Sequence, residues 1–283
     1  MDREVLKMIT MQKLVITSSF LGREVLTDLY VPVFHKAKST LPLLLINDGQ
    51  DLEKMAFDQM LDGLMAEQQI ASMICIGIHA NADRRMEYGT ANKLDYMQRG
   101  AKSALYNRFI LEELLPIIQE KLGVPCFDSI SYAGFSLGGL SAIDTVWNHP
   151  NIFSIAGVFS GSLWWRSKDL LDGYDEEKDR IMHQQVQEGK YHSGLRFYFT
   201  TGSQDETADR NNNGIIDSID DTLGLIAALK KKGYTDKEIC YINYEDGRHD
   251  VETWGRAFPD FLKWGWGEGN RNEIIKNNSI ESC

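Results

Sequence analysis

Apolar residues along this chain come in short blocks separated by polar turns. Residues 42–47, 72–78, 155–159 and 195–200 are nearly continuous apolar runs. Runs of that length predict strands buried on both faces of a sheet. Residues 13–17 and 24–31 alternate more loosely around Gly22, which predicts an antiparallel hairpin at the edge of the sheet. Residues 128–131 and 238–243 complete the strand set. Between the strands the spacing turns helical. Leu61, Leu64 and Met65 predict one helix. Residues 109–122 predict a second, with Pro116 kinking it or opening its second half. Leu140, Ile143, Val146 and Trp147 predict a third, stopped by Asn148-His149-Pro150. Residues 175–188 predict a charged surface helix, 222–232 a helix ending at Gly233, and 251–264 a last one. Residues 81–92 are polar and irregular and predict a surface loop. The stretch from 267 to 283 is rich in Asn, Glu and Gly and is expected to be a loose tail. Strands alternating with helices at this spacing predict an α/β domain over 1–266: a mostly parallel sheet with helices on both faces and an antiparallel N-terminal hairpin.

Composition narrows the classes. With 43% hydrophobic residues the chain can bury a sizeable core. A net charge of −11 without a compensating basic block argues against nucleic acid or an anionic membrane as partner. Cys75, Cys126, Cys240 and Cys283 show no CxxC spacing, and Cys75 and Cys240 sit in apolar runs as small buried hydrophobes. The first residues carry no apolar signal region, and no run reaches membrane-spanning length. A soluble, cytoplasmic protein is the simplest expectation, although a chain whose signal had been removed would look the same. Oligomeric state is not legible.

The chain is organised around Gly134-Phe135-Ser136-Leu137-Gly138, set between a predicted strand and a predicted helix. A Gly-x-Ser-x-Gly at a strand-to-helix turn is the nucleophile elbow of α/β-hydrolases. The glycines let so sharp a turn form, and the helix N-terminus offers free N–H groups where negative charge develops. The competing reading is a glycine-rich turn with an idle serine. In this fold class the partners follow in the order serine, acid, histidine. Of the later histidines, His149 caps a helix, and His183 and His192 lie in polar sequence where solvated rings are the default. His249 follows a strand and precedes a helix, the place where open α/β sheets gather their sites, and is the candidate general base. Asp205 follows the preceding strand and is the candidate acid. Glu206 is its rival, and periodicity does not separate them. The oxyanion donors expected are the N–H of Leu137 and that of Gln50, in the turn after 42–47; an ordinary tight turn is the alternative there.

Gly-Phe-Ser-Leu-Gly-Gly, an early Asp-Gly-Gln, Thr-Gly-Ser-Gln-Asp, and His-Asp-x-x-x-Trp before Phe-Pro-Asp-Phe-Leu together resemble the putative esterase family. That family includes enterobactin-esterase-like, feruloyl and acetylxylan esterases and S-formylglutathione hydrolases. Ser160-Gly-Ser-Leu-Trp-Trp165 resembles the enterobactin-esterase-like branch. The resemblance implies cofactor-free serine hydrolysis of a small-molecule ester, and carries the nucleophile onto Ser136, the acid onto Asp205 and the base onto His249. An acyltransferase on the same scaffold, or a non-catalytic binding protein, are the alternatives.

Two further signals stand apart. Asp209, Asn211, Asn213, Ile215, Asp217 and Asp220 fall at the ligand positions of an EF-hand calcium loop, with Gly214 at the turn, and resemble dockerin loops in ending on Asp. The expected role is structural calcium ordering the segment after Asp205; the alternative is an Asn-rich turn closed by its own side chains. Trp164 and Trp165 are candidate pocket walls, with core packing the equal alternative. Tyr88 and Asn81 are weaker candidates for substrate contact.

Overall fold

The structure is a computed structural model and describes residues 7–33 and 40–267. The tail expected from 267 lies, apart from Gly267, outside the described residues. Eight strands form one sheet: β1 (Ile9–Ser18), β2 (Arg23–Pro32), β3 (Leu43–Asn47), β4 (Ile74–Ile78), β5 (Ile130–Phe135), β6 (Phe153–Phe159), β7 (Arg196–Gln204) and β8 (Ile239–Arg248). Their spatial order is β1-β2-β4-β3-β5-β6-β7-β8. The first two strands form the edge hairpin, β2 meets β4 antiparallel, and every later pairing is parallel.

The helices are α1 (Phe57–Ala66), α2 (Arg84–Glu87), α3 (Ser103–Arg108), α4 (Leu115–Leu122), α5 (Leu137–Asn148), α6 (Glu176–Asp179), α7 (Ile181–Glu188), α8 (Asp217–Lys232) and α9 (Val251–Trp266). A π-helical turn, Phe109–Leu114, joins α3 to α4, and Pro116 opens α4. The ring removes one backbone donor, so the regular ladder restarts there.

The apolar strands are apolar throughout because both faces are covered. In β3, Leu43 and Leu45 pack into one core with Tyr132, Phe109 and Leu140, while Leu44 and Ile46 pack into the other with Leu61, Phe258 and Phe261. Successive side chains point to opposite faces, so a five-residue strand serves two cores. Helices α1 and α9 cover one face, and α3 to α5 with α7 and α8 cover the other.

Three expectations about elements are corrected. The charged stretch 175–188 is not one surface helix: it breaks at Arg180, whose buried guanidinium turns inward to Asp221. The 81–92 stretch is not a surface loop: it contains α2, and Glu87, Tyr88 and Thr90 are buried. Helix α8 starts at Asp217, five residues earlier than the apolar spacing implies, and so consumes the end of the expected calcium loop.

The chain order reverses across β3: β4 lies on one side of it and β5 on the other. Crevices of open α/β sheets form outside the strand C-termini at such a switch point. The ends of β3 and β5 are Asn47-Asp48-Gly49 and Phe135-Ser136.

Candidate active site

Ser136 stands between β5 and α5 with φ 54° and ψ −122°. A non-glycine residue with positive φ is strained, and the surroundings must hold it. They do so by close approach: a Cβ on Gly134 would lie 2.4 Å from the Gly138 carbonyl, so only glycine lets the chain double back. The Ser136 N–H donates to the Phe159 carbonyl at 2.8 Å, tying the elbow to β6. Its Oγ projects 2.9 Å from Nε2 of His249 and 3.4 Å from the Ser162 hydroxyl.

His249 lies between β8 and α9. The Asp250 carboxylate caps α9 by accepting the Thr253 N–H at 2.8 Å, and the Thr253 hydroxyl accepts the Arg248 N–H at 2.9 Å. The indole of Trp254 meets the imidazole edge-on, centroids 5.2 Å apart, and donates to the Ser160 hydroxyl at 3.1 Å. The ring keeps an exposed edge. Partial burial still holds its pKa below the ordinary 6.5; Asp205 and Asp250 pull it up, and Arg84 pushes it down.

Asp205 leaves β7 just past a register shift beside β8. Its Oδ2 accepts the Gly202 N–H at 3.0 Å, while Oδ1 is buried without a hydrogen-bond partner. Burial raises its pKa, opposed by the Gly202 N–H and by His249 among others. Glu206 is raised by burial too, but the charges around it are Asp217, Asp221 and Asp205. Of the two carboxylates, Asp205 is the one whose charge acts on His249.

The turn after β3 is a 3₁₀ turn, Gly49–Asp51, entered by Asp48 at φ 60°. Gly49 lies flat on Gly77 of β4, where a Cβ would approach a backbone carbon to 2.4 Å. The Gln50 side chain accepts the Ala80 N–H at 3.0 Å, fixing the turn to the end of β4. Leu137 is the first residue of α5, so its N–H belongs to the donors that a helix leaves without intrahelical partners.

Beneath both turns lies a buried polar network. Asn47 donates to the Gly138 carbonyl at 2.9 Å and accepts from the Tyr106 and Tyr132 hydroxyls at 2.8 and 2.6 Å. Asp48 takes Arg84 in a two-pronged contact, 2.7 Å on each oxygen, and its N–H donates to the Tyr88 hydroxyl at 3.2 Å. Nothing local in the sequence marks Arg84, Tyr106 or Tyr132 as belonging here. Their partners lie 36 or more residues away.

Other expected site residues fall elsewhere. Trp165 has no exposed surface and packs over Gly89 and Gly100, so it is core rather than pocket wall. Trp164 is half-buried, with the Arg99 guanidinium 5.2 Å over its ring. Tyr88 is fully buried under Asp48 and has no surface for a ligand. Asn81 is exposed and accepts the Asp83 N–H in its own turn. His183 is not solvated: it is buried against the Asp221 carbonyl.

The calcium expectation is not supported. Asp209 accepts the N–H groups of Asn213 and Gly214, Asn211 that of Asn213, and Asn213 that of Ile215. Asp217 accepts the Arg210 N–H and pairs with its guanidinium, while Asp220 takes the Asn211 amide. Among the described residues no three carboxylate, His or Cys side chains gather as a metal would require. The Asn-rich turn closed by its own side chains is what the geometry supports. Nor, among the described residues, is any helix long and apolar enough to cross a membrane.

Comparison with known proteins agrees with this architecture. The enterobactin esterase FES of Shigella flexneri superposes with a TM-score of 0.67 at 21% identity, covering 90% of this chain and 58% of that one. The chain thus spans somewhat under two thirds of that enzyme's length. A ferulic acid esterase superposes with a TM-score of 0.67 at 18% identity, covering 91% and 97%. The uncharacterized protein YbbA of Bacillus subtilis (strain 168) is 23% identical over 251 residues, 87% of this chain and 94% of that one. At these identities the solved structures speak for the fold, which is that of the α/β-hydrolases. A family model described as "Putative esterase" matches residues 18–264. The chain therefore belongs to the putative esterase family.

Proposed function

We propose that this chain is a serine hydrolase that cleaves a small-molecule carboxylic ester through an acyl-enzyme. The observation that carries the reading is the 2.9 Å contact between Ser136 Oγ and His249 Nε2 on a strained strand-to-helix turn. For Nε2 to accept the serine proton, the neutral ring carries its own proton on Nδ1. Asp205 stabilises that tautomer and the imidazolium that follows. Ser136 Oγ bonds to the ester carbonyl carbon as its proton passes to His249. The N–H groups of Leu137 and Gln50 receive the oxyanion. Collapse breaks the carbon–alkoxy bond, and His249 returns the proton to the departing alcohol. Water, deprotonated by His249, then attacks the acyl carbon and restores Ser136. No metal or organic cofactor enters these steps. Trp164, two residues beyond Ser162 and half-buried, supplies an aromatic flank for the substrate.

A panel of p-nitrophenyl, aryl and sugar-acetate esters, with a fluorophosphonate label, tests this. The wild type is expected to hydrolyse members of the panel and take the label on Ser136. Ser136→Ala is expected to lose label and turnover, leaving at most about 10⁻³ of the rate. Equal turnover by wild type and Ser136→Ala would overturn the proposal.

A further inference from the structure

Arg84 occupies an unusual position for an arginine in a polar loop. It opens α2, yet its side chain reaches back to the ends of β3 and β5. Nε and Nη2 each lie 2.7 Å from an Asp48 oxygen, and Nη2 also reaches the Phe135 carbonyl at 3.3 Å. Asp48 introduces the turn that presents Gln50; Phe135 precedes Ser136. One guanidinium therefore touches both walls of the oxyanion site. The fit is tight, since a Cβ on Gly138 would stand 2.6 Å from the Asp48 carboxylate. The side chain is 30% exposed, whereas that of Asp48 is 3% exposed. Its guanidinium lies 5.1 Å from the centre of the buried Tyr88 ring, whose hydroxyl accepts the Asp48 N–H.

The chemistry follows from the shape of the group. A planar fork on a buried carboxylate fixes direction as well as distance, which a lysine cannot do. Both oxyanion donors must be placed before reaction, because reorganising dipoles during it forfeits their effect. The charge also matters. The groups acting on the His249 ring are Asp205 from the β7 end and Asp250 from the α9 cap, both acidic, and Arg84 from α2, the opposing cation. An uncompensated pair of carboxylates would hold the imidazole in its protonated, inactive form at higher pH.

We propose that Arg84 is a positioning residue for ester hydrolysis: clamped on Asp48 and Phe135, it holds the Gln50 turn against the Ser136 elbow. This rests on the reading of Ser136 and His249 as nucleophile and base. Three variants separate its parts. Arg84→Gln removes charge and fork together and leaves the Asp48 carboxylate unpaired. It is expected to lower kcat about 10- to 100-fold, with KM within about threefold, since a misplacement near 1 Å has that cost. The acid limb of kcat/KM is expected to move to higher pH. Asp48→Asn leaves the guanidinium uncompensated, and the acid limb is expected to move to lower pH. Arg84→Lys restores the charge, so the limb returns toward wild type while kcat stays depressed.

Each variant is measured with pH–rate profiles, melting temperature and the rate of fluorophosphonate labelling. A wild type that neither labels nor turns over defeats the hydrolase reading, before the variants are made. With an active wild type, a lowered melting temperature but unchanged kcat and acid limb in Arg84→Gln would overturn this inference. If Arg84→Gln does not fold, an acid limb unmoved in Asp48→Asn together with a wild-type kcat in Arg84→Lys overturns it equally.

Discussion

Gly49→Ala is the substitution that most directly tests the proposed oxyanion donor on the Gln50 turn. The added methyl would meet the Gly77 carbonyl carbon at 2.4 Å, its oxygen at 2.7 Å and the Ile78 nitrogen at 2.7 Å. Ordinary carbon–carbon contact begins near 3.5 Å, so the turn is about 1 Å too close. Gly77 and Ile78 belong to β4, hydrogen-bonded to strands on both sides, and cannot yield. The 3₁₀ turn therefore lifts, carrying the Gln50 N–H with it. A displacement of that size costs about 100-fold in rate, and the overpacking about 1–3 kcal/mol in stability. The expected result on a p-nitrophenyl ester is kcat reduced about 100-fold with KM nearly unchanged. Labelling of Ser136 by a small fluorophosphonate, which also develops negative charge on oxygen, is expected to slow in parallel. Gly63→Ala is the matched control. It lies within α1 with nothing inside 4 Å of the added carbon, so it is expected to leave kcat alone and to raise stability by about 0.5–1 kcal/mol. Gly49→Ala with kcat within threefold of wild type, and a melting temperature that falls, would refute the placement of an oxyanion donor on this turn.

Other outcomes follow from the same geometry. Asp205→Asn is expected to lower kcat by about 10³–10⁴, since it favours the wrong imidazole tautomer, whereas Glu206→Gln is expected to stay within about tenfold; steady-state kinetics on one ester settle which carboxylate serves His249. His183 is buried, and burial first, then Arg180, depresses its pKa to about 3. A histidine held neutral contributes stability that is intact above its unfolded value of 6.5 and is lost as pH falls from there toward 3. Relative to His183→Gln, the wild type is therefore expected to lose on the order of 2 kcal/mol between pH 6.5 and pH 5, measured by urea unfolding at each pH. Asp144 contributes the opposite slope between 3.8 and about 6, because burial raises its carboxyl. The comparison with the variant cancels that term.

What the sequence discloses about this molecule is what is local. Gly134, Gly138 and Gly139 crowd one turn, and that crowding is written within six residues. His249 is legible because a strand end and a helix cap fall on either side of it within a few positions. The hairpin, the wholly apolar β3 and the helix-stopping Gly233, at φ 118°, are local in the same sense. Arg84 and His183 are not, since each lies in polar sequence and is drawn inward by a partner 36 or 38 residues away. Trp164 and Trp165 are indistinguishable as letters, yet Gly89 and Gly100 make a bed for the second and not the first. The calcium pattern misleads for a related reason. The oxygen-bearing residues are spaced correctly, but Arg210, second in the loop, turns inward and engages Asp217, and spacing alone does not record that.

That inward turn has its own consequence. Arg210 joins Glu176 at 2.6 Å and Asp221 at 2.9 Å, with side chains 6% exposed for the arginine and 0% for Asp221. Dissolved ions screen charges they can approach, as at the exposed Arg256–Asp246 pair, and scarcely reach ones sealed from water. The segment that follows Asp205 is consequently riveted by an ionic joint whose Arg210–Asp221 half is insulated from the medium, with Glu176, 30% exposed, at its rim. Brine that loosens the outer charge pairs leaves the Arg210–Asp221 contact seated, and with it the anchorage of the chain just beyond Asp205.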